Sequence, residues 1–148
     1  FEAPVTVGYA TSNRSAVIRI PAYAKTPDRR RFELRNPDAT CNPYFCYAAI
    51  LMAGLDGIKN KIDPHENGWG PYDMNLFHLS EEEKAKLSHL PTSLEQALDA
   101  LEADHDYLLE GGVFPEELIT KFIRSKREEC RAMAAIPHPA EFDRYYNL

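Results

Sequence analysis

Residues 13–37 read NRSAVIRIPAYAKTPDRRRFELRNP, and the organisation of the chain follows from them. In SAVIRIP, residues Ala16, Ile18 and Ile20 fall on one face and Val17 and Arg19 on the other. RRRFELR repeats the pattern, with Phe32 and Leu34 opposed to Arg31, Glu33 and Arg35. Both have the period of two expected of half-buried strands. Pro27 and Asp28 interrupt the residues between them, so the expectation is an antiparallel pair joined by a long loop. Such pairing can gather Arg19, Arg31 and Arg35 on one sheet face beside the single carboxylate of Glu33. Alternating charge on a strand is ordinarily the solvated side of an antiparallel sheet. A surplus of guanidinium groups on a rigid surface also suits phosphate or carboxylate, because arginine offers a planar fork of donors and keeps its charge.

The 148 residues are enough for one domain with its own core. The chain opens at Phe1 on a strand-like stretch, as a piece of a longer protein would. No apolar run reaches membrane-spanning length and no leader peptide is visible, so no membrane partner is expected. Cys41, Cys46 and Cys130 are odd in number and lack CxxC spacing, which argues against a disulfide framework and for a reducing, cytoplasmic compartment. Each is expected to be a small buried hydrophobe. Residues 1–61 hold nine Lys/Arg against five Asp/Glu, while residues 62–148 hold eight against eighteen. A chain of net charge −6 does not bind nucleic acid by bulk electrostatics. Its basic excess coincides with the two strands, which points to a local anion site.

In chain order, Val5, Val7 and Tyr9 alternate with Thr6 and Gly8 as a third strand. A polar turn, Thr11 to Arg14, follows. Asn42 then Pro43 is a helix N-cap with proline at the first position. The run YFCYAAILMAGL, residues 44–55, is apolar on nearly every side and reads as a buried helix against which the strands pack. Gly68, Gly70 and Pro71 mark a loop around Trp69, a local packing anchor. Ser80 with Glu83, and Ser93 with Gln96, are capping boxes. Gly111 and Gly112 close a short helix, and Pro115 opens a longer one to about Met133 with Leu118, Ile119, Phe122 and Ile123 inward. A last helix from Pro139 exposes Phe142, Tyr145 and Tyr146, which need a covering surface. The fold expected is α+β: strands over about residues 3–36, a buried helix, and a mostly helical remainder over about residues 42–148. The five histidines form no HxH or HExxH pair, and no GxxxxGK[ST], GxGxxG or GxSxG is present.

The segments NRSAVIRIP, RRFELRNPDATCNPY, LMAGLDGIKNKI, GGVF and PHPAEFDRYY, in this order and spacing, closely resemble the C-terminal part of the catalytic domain of class I bacterial glutamine synthetase. The resemblance implies a ligase that joins ammonia to glutamate using ATP through a γ-glutamyl phosphate, with two Mg²⁺ or Mn²⁺ ions per complete site. By motif position Arg14 resembles the arginine that touches both ATP and glutamate, and Arg19 a contact to ATP phosphate. Arg31 matches an arginine near the nucleotide, Glu33 a metal ligand and Arg35 a contact to the glutamate carboxylate. The family's rings imply a homo-oligomer, a dodecamer of two hexamers, with Phe142 to Tyr146 reaching the opposite ring.

Three departures carry expectations of their own. Phe77 stands where many such enzymes have a tyrosine that is adenylylated, so no adenylylation is expected there. The hairpin loop is one residue longer than in enteric enzymes, and Asp28 falls at the column of a nucleotide-binding lysine, with Lys25 nearby. The family's other metal ligands and its ammonium-site aspartate belong upstream of Phe1, so the 148 residues by themselves are expected to be inactive. A γ-glutamyl ligase for another amine, and a non-catalytic interaction or oligomerisation module, are the alternatives.

Overall fold

In a computed structural model, residues 4–74 and 76–146 are described, without the side chain of Phe77; the expectation for that ring therefore lies outside the described residues. Two compact units divide the chain, Phe1–Leu90 and Pro91–Leu148. The first carries a three-stranded sheet in the order β1 (Thr6–Thr11), β2 (Ala16–Ile20), β3 (Glu33–Leu34). The β2–β3 pair is antiparallel, with Ile18 opposite Leu34 and Arg19 opposite Glu33. The long-loop hairpin read from the sequence is therefore present, although its second strand is only two residues long.

β1 runs parallel to β2, and residues 12–15 alone return the chain. The other edge of β1 is covered by backbone. The Val7 amide donates to the Ser88 carbonyl at 2.8 Å and Leu90 donates to Val5 at 2.8 Å. Tyr9 donates to Trp69 at 2.9 Å, and Tyr72 returns a bond to Tyr9 at 2.9 Å. A strand bonded along both edges has no free ladder to satisfy.

This docking buries the small-residue face of β1. Thr6, Gly8 and Ala10 are buried, whereas Val5 is 60% exposed and Val7 and Tyr9 are half-buried. The reason is steric. Gly8 has φ +149, and a Cβ there would meet the Tyr72 ring and the Trp69 carbonyl, so close approach of the loop requires the bare face. In β2, burial falls along the strand rather than between faces: Ala16 and Val17 are buried and Ile20 is 42% exposed. Phe32, expected inward, is exposed because the ladder begins only at Glu33.

The helix α1 (Pro43–Lys59) starts as read, with Asn42 Oδ1 accepting from the Tyr44 amide at 3.0 Å. Its expected burial is overturned. Met52 is its buried residue, while Tyr44, Tyr47, Leu51, Leu55 and Ile58 are exposed. The sheet meets the segments at residues 69–73 and 88–90 instead, so α1 is not the post on which the strands rest. The cysteines are free, with Cys41 exposed and Cys46 and Cys130 half-buried rather than interior. No helix is long and apolar enough to cross a membrane among the described residues.

After α2 (Glu81–Lys84), whose capping box joins Ser80 and Glu83 as expected, the second unit is helical. It comprises α3 (Leu94–Ala103), α4 (Asp106–Leu109), α5 (Glu116–Ala134) and α6 (Pro139–Tyr145). The second box is shifted: Ser93 Oγ accepts from Gln96 N, but the Gln96 side chain reaches back to Thr92 at 2.9 Å. Leu98, Leu108, Phe114, Ile119 and Ile123 form the core, and Phe122 stays partly exposed. Arg127 crosses to Asp99 and Glu102, each at 2.7 Å. Gly111 and Gly112 take positive φ to end the short helix before α5.

His105 braces this unit, with Nδ1 2.9 Å from the Leu101 carbonyl and Nε2 3.4 Å from Glu116 Oε1. Burial pulls its pKa down, but the Glu116 carboxylate and the Leu101 carbonyl outweigh that and hold it above the ordinary value. A raised folded pKa means that the stabilisation is full below about pH 6.5, the unfolded value, and is lost as pH rises through the folded pKa. Urea midpoints measured from pH 5.5 to 8.5 should therefore fall across that window for the native protein. The fall should flatten in Glu116→Gln.

Candidate functional site

The site is built from the β2–β3 register. Directly opposed side chains on antiparallel strands share a face, and Arg19 Nη1 meets Glu33 Oε2 at 2.8 Å. Their side chains are 18% and 33% exposed, so the pair sits partly out of water. Arg19 Nε is shut from solvent with no hydrogen-bond partner, a donor that the described residues leave unused. The ladder runs one residue further, because the Arg35 amide donates to the Val17 carbonyl at 2.9 Å. Strand alternation then puts Arg35 on the Glu33 side. Its Nη1 donates to the Arg14 carbonyl at 3.2 Å.

Arg14 belongs to the turn between β1 and β2. Its guanidinium is exposed and has no hydrogen bond or ion pair among the described residues. Arg31 departs from the group. Its Nη2 donates to the Tyr23 hydroxyl at 2.6 Å and its guanidinium carbon lies 5.2 Å from the centre of that ring. The Tyr23 ring in the hairpin loop thus takes up the third arginine, while Arg19 stays paired with Glu33 and Arg35 reaches the Arg14 backbone. Asp28 pairs with neighbouring Arg29, at 3.9 Å and largely in solvent, and Lys25 is exposed.

A divalent ion fits this set only in part. Hard dications take six or more oxygen ligands. Among the described residues no group of three His, Cys, Asp or Glu side chains could hold a metal, so Glu33 can supply a single carboxylate and the remaining ligands must come from elsewhere.

The chain matches the family profile "Glutamine synthetase, catalytic domain" over residues 1–145. It belongs to the glutamine synthetase family. The glutamine synthetase of Aquifex aeolicus is 51% identical over 148 residues, which is all of this chain and 31% of that protein. Those of Mycobacterium tuberculosis and Salmonella typhimurium are 48% and 49% identical, again over the whole chain and 30% of each relative. The chain thus spans about a third of the length of these relatives. Among solved structures, Plasmodium falciparum glutamine synthetase superposes with a TM-score of 0.79 at 29% identity, covering 99% of this chain and 35% of that one. The GmaS/ADP complex gives 0.76 at 33% identity, covering 99% and 30%.

Within this glutamine synthetase segment, reading by residue type found the arginines but missed what holds them. Asn13, Ser15 and the carbonyls of Tyr72 and Met74 fix the Arg14 turn. The only hint was the Asn-x-Ser spacing, which favours a side-chain-capped turn. The Arg19–Glu33 pair also has a measurable structural consequence. Glu33→Gln keeps the shape and removes the charge that faces a half-buried guanidinium, so it should cost about 1 kcal/mol. The urea midpoint should drop accordingly, and Glu33→Gln with Arg19→Met together should recover part of it.

Proposed function

We propose that the chain supplies the anion-holding wall of an ATP-dependent glutamate–ammonia ligase. The observation that carries the reading is the Arg19–Glu33 pair set by strand register, with Arg35 on the Glu33 side donating to the Arg14 carbonyl, in a chain that matches the glutamine synthetase catalytic domain over residues 1–145. In this reading a glutamate γ-carboxylate oxygen attacks the terminal phosphorus of ATP, the bond to ADP breaks, and ammonia then displaces phosphate from the acyl phosphate to give glutamine. Negative charge spreads over the phosphoryl oxygens in flight, and a fixed cation lowers that barrier without reorganising. Arg14 takes that role, touching both ATP and glutamate. Arg19 holds the nucleotide phosphates, and Arg31 lies near the nucleotide. That the GmaS/ADP complex shares this fold favours a nucleotide site.

Arg35 grips the glutamate carboxylate, and Glu33 contributes one ligand to Mg²⁺ or Mn²⁺. Bound dications neutralise phosphate charge. With Glu33 as the one candidate metal carboxylate among the described residues, the 148 residues by themselves are inactive. The working compartment is the cytoplasm, in keeping with three free cysteines.

Arg35→Ala in the full-length protein tests the site. A charge-assisted bond to substrate contributes about 1.5–3 kcal/mol, so KM for glutamate should rise roughly ten- to a hundredfold while KM for ATP moves little. Unchanged glutamate kinetics would count against the assignment. The assembly is a homo-oligomer of stacked rings, and α6 with its exposed Phe142, Tyr145 and Tyr146 is the surface that pairs them. Truncation after Pro139 should therefore halve the particle mass by light scattering; a particle of unaltered mass would contradict that role for α6.

A further inference from the structure

We infer that Asn13 is the positioning residue for Arg14: its side-chain amide fixes the turn from which the Arg14 guanidinium reaches the reacting phosphoryl group. The inference rests on the role of Arg14 proposed above.

An asparagine amide has two N–H donors and a carbonyl oxygen with two lone pairs. Asn13 uses both ends fully. Nδ2 donates to the Tyr72 carbonyl at 2.8 Å and to the Met74 carbonyl at 2.6 Å. Oδ1 accepts from the Ser15 amide at 3.0 Å and from the Ser15 hydroxyl at 2.8 Å. Because carbonyls lie on one side and N–H or O–H donors on the other, only one orientation of the amide satisfies all four contacts. The first pair ties the turn to a segment about sixty residues away. The second pair bends the backbone over Arg14.

The turn is held at both flanks as well. Ser12 sits at φ 67, uncommon for a residue with a side chain, and its amide donates to the Ile20 carbonyl at 3.0 Å. Ser12 Oγ accepts from the Ala22 amide at 3.3 Å, and the Arg14 carbonyl accepts from Arg35 Nη1. The segment it docks on is itself fixed, since Asp73 Oδ1 accepts from the Thr11 amide at 2.8 Å.

The result is an immobile backbone beneath a guanidinium without a partner among the described residues. That combination is what a catalytic cation needs. A side chain paired within its own protein must break that pair to meet a ligand, and one on a loose turn loses entropy when it does. No other side chain of this size serves at position 13. Aspartate offers acceptors only and would repel the Tyr72 and Met74 carbonyls, and serine is too short to span both sides.

The test is a double-mutant cycle in the full-length protein, with Asn13→Asp and Arg14→Lys alone and together. Lysine keeps the charge but loses the fork, leaving a rate that can be measured. Asn13→Asp should lower kcat/KM for ATP about ten- to a hundredfold, as expected of a displaced reacting group, with assembly retained. In the Arg14→Lys background the same change should cost about twofold or less, because contacts that act through one group are not additive. Should Asn13→Asp fail to assemble, Ser15→Ala removes one of the four bonds and is read in the same cycle, with a loss of about threefold.

A loss carried in full into the Arg14→Lys background overturns the inference, because Asn13 would then act on the fold at large. A damaged Arg14→Lys beside silent Asn13→Asp and Ser15→Ala variants sinks the inference and spares the role of Arg14. A silent Arg14→Lys sinks both.

Discussion

The cross-strand register that sets Arg19 opposite Glu33 governs everything built on this sheet. A slip of one residue would send Glu33 and Arg35 to the other face and leave a half-buried guanidinium facing nothing. β3 is too short to hold register by ladder length, since two residues make few backbone bonds. The ion pair at 2.8 Å and the bond from the Arg35 amide to Val17 hold it instead. The ion pair therefore also defines the alignment, so side-chain identity and backbone geometry cannot vary independently here.

A second constraint acts on β1, which is bonded along one edge to β2 and along the other to residues 69–72 and 88–90. Its buried face is made of small residues because the covering loop approaches the backbone itself, most closely at Gly8. Asn13 uses that docked loop as an anchor. The turn bearing Arg14 is thus held through hydrogen bonds to main-chain groups.

Polar and apolar surfaces are unevenly shared. The excess of Lys/Arg lies in residues 1–61, around the sheet, whereas the helical remainder is acidic. Two helices carry apolar groups that the described residues leave open: α1 along Tyr44, Tyr47, Leu51 and Ile58, and α6 along Phe142, Tyr145 and Tyr146. A helix of this composition is stable in water only when another surface covers it.

Sequence by itself determined the elements whose signals are local. Alternation in SAVIRIP and RRRFELR gave the hairpin, Asn42–Pro43 and Ser80–Glu83 gave helix starts, and Gly111–Gly112 gave a helix end. It also supplied the arginines and their lone acid, because charge type is written in the residues. Only tertiary structure decided which face of β1 is buried, that α1 is not the core post, that Arg31 turns to Tyr23 and that Arg127 crosses to α3. Each of these depends on what arrives from far along the chain. Asn13 shows the difference most clearly, since its donors find their acceptors some sixty residues away, and no local pattern encodes where a distant carbonyl will stand.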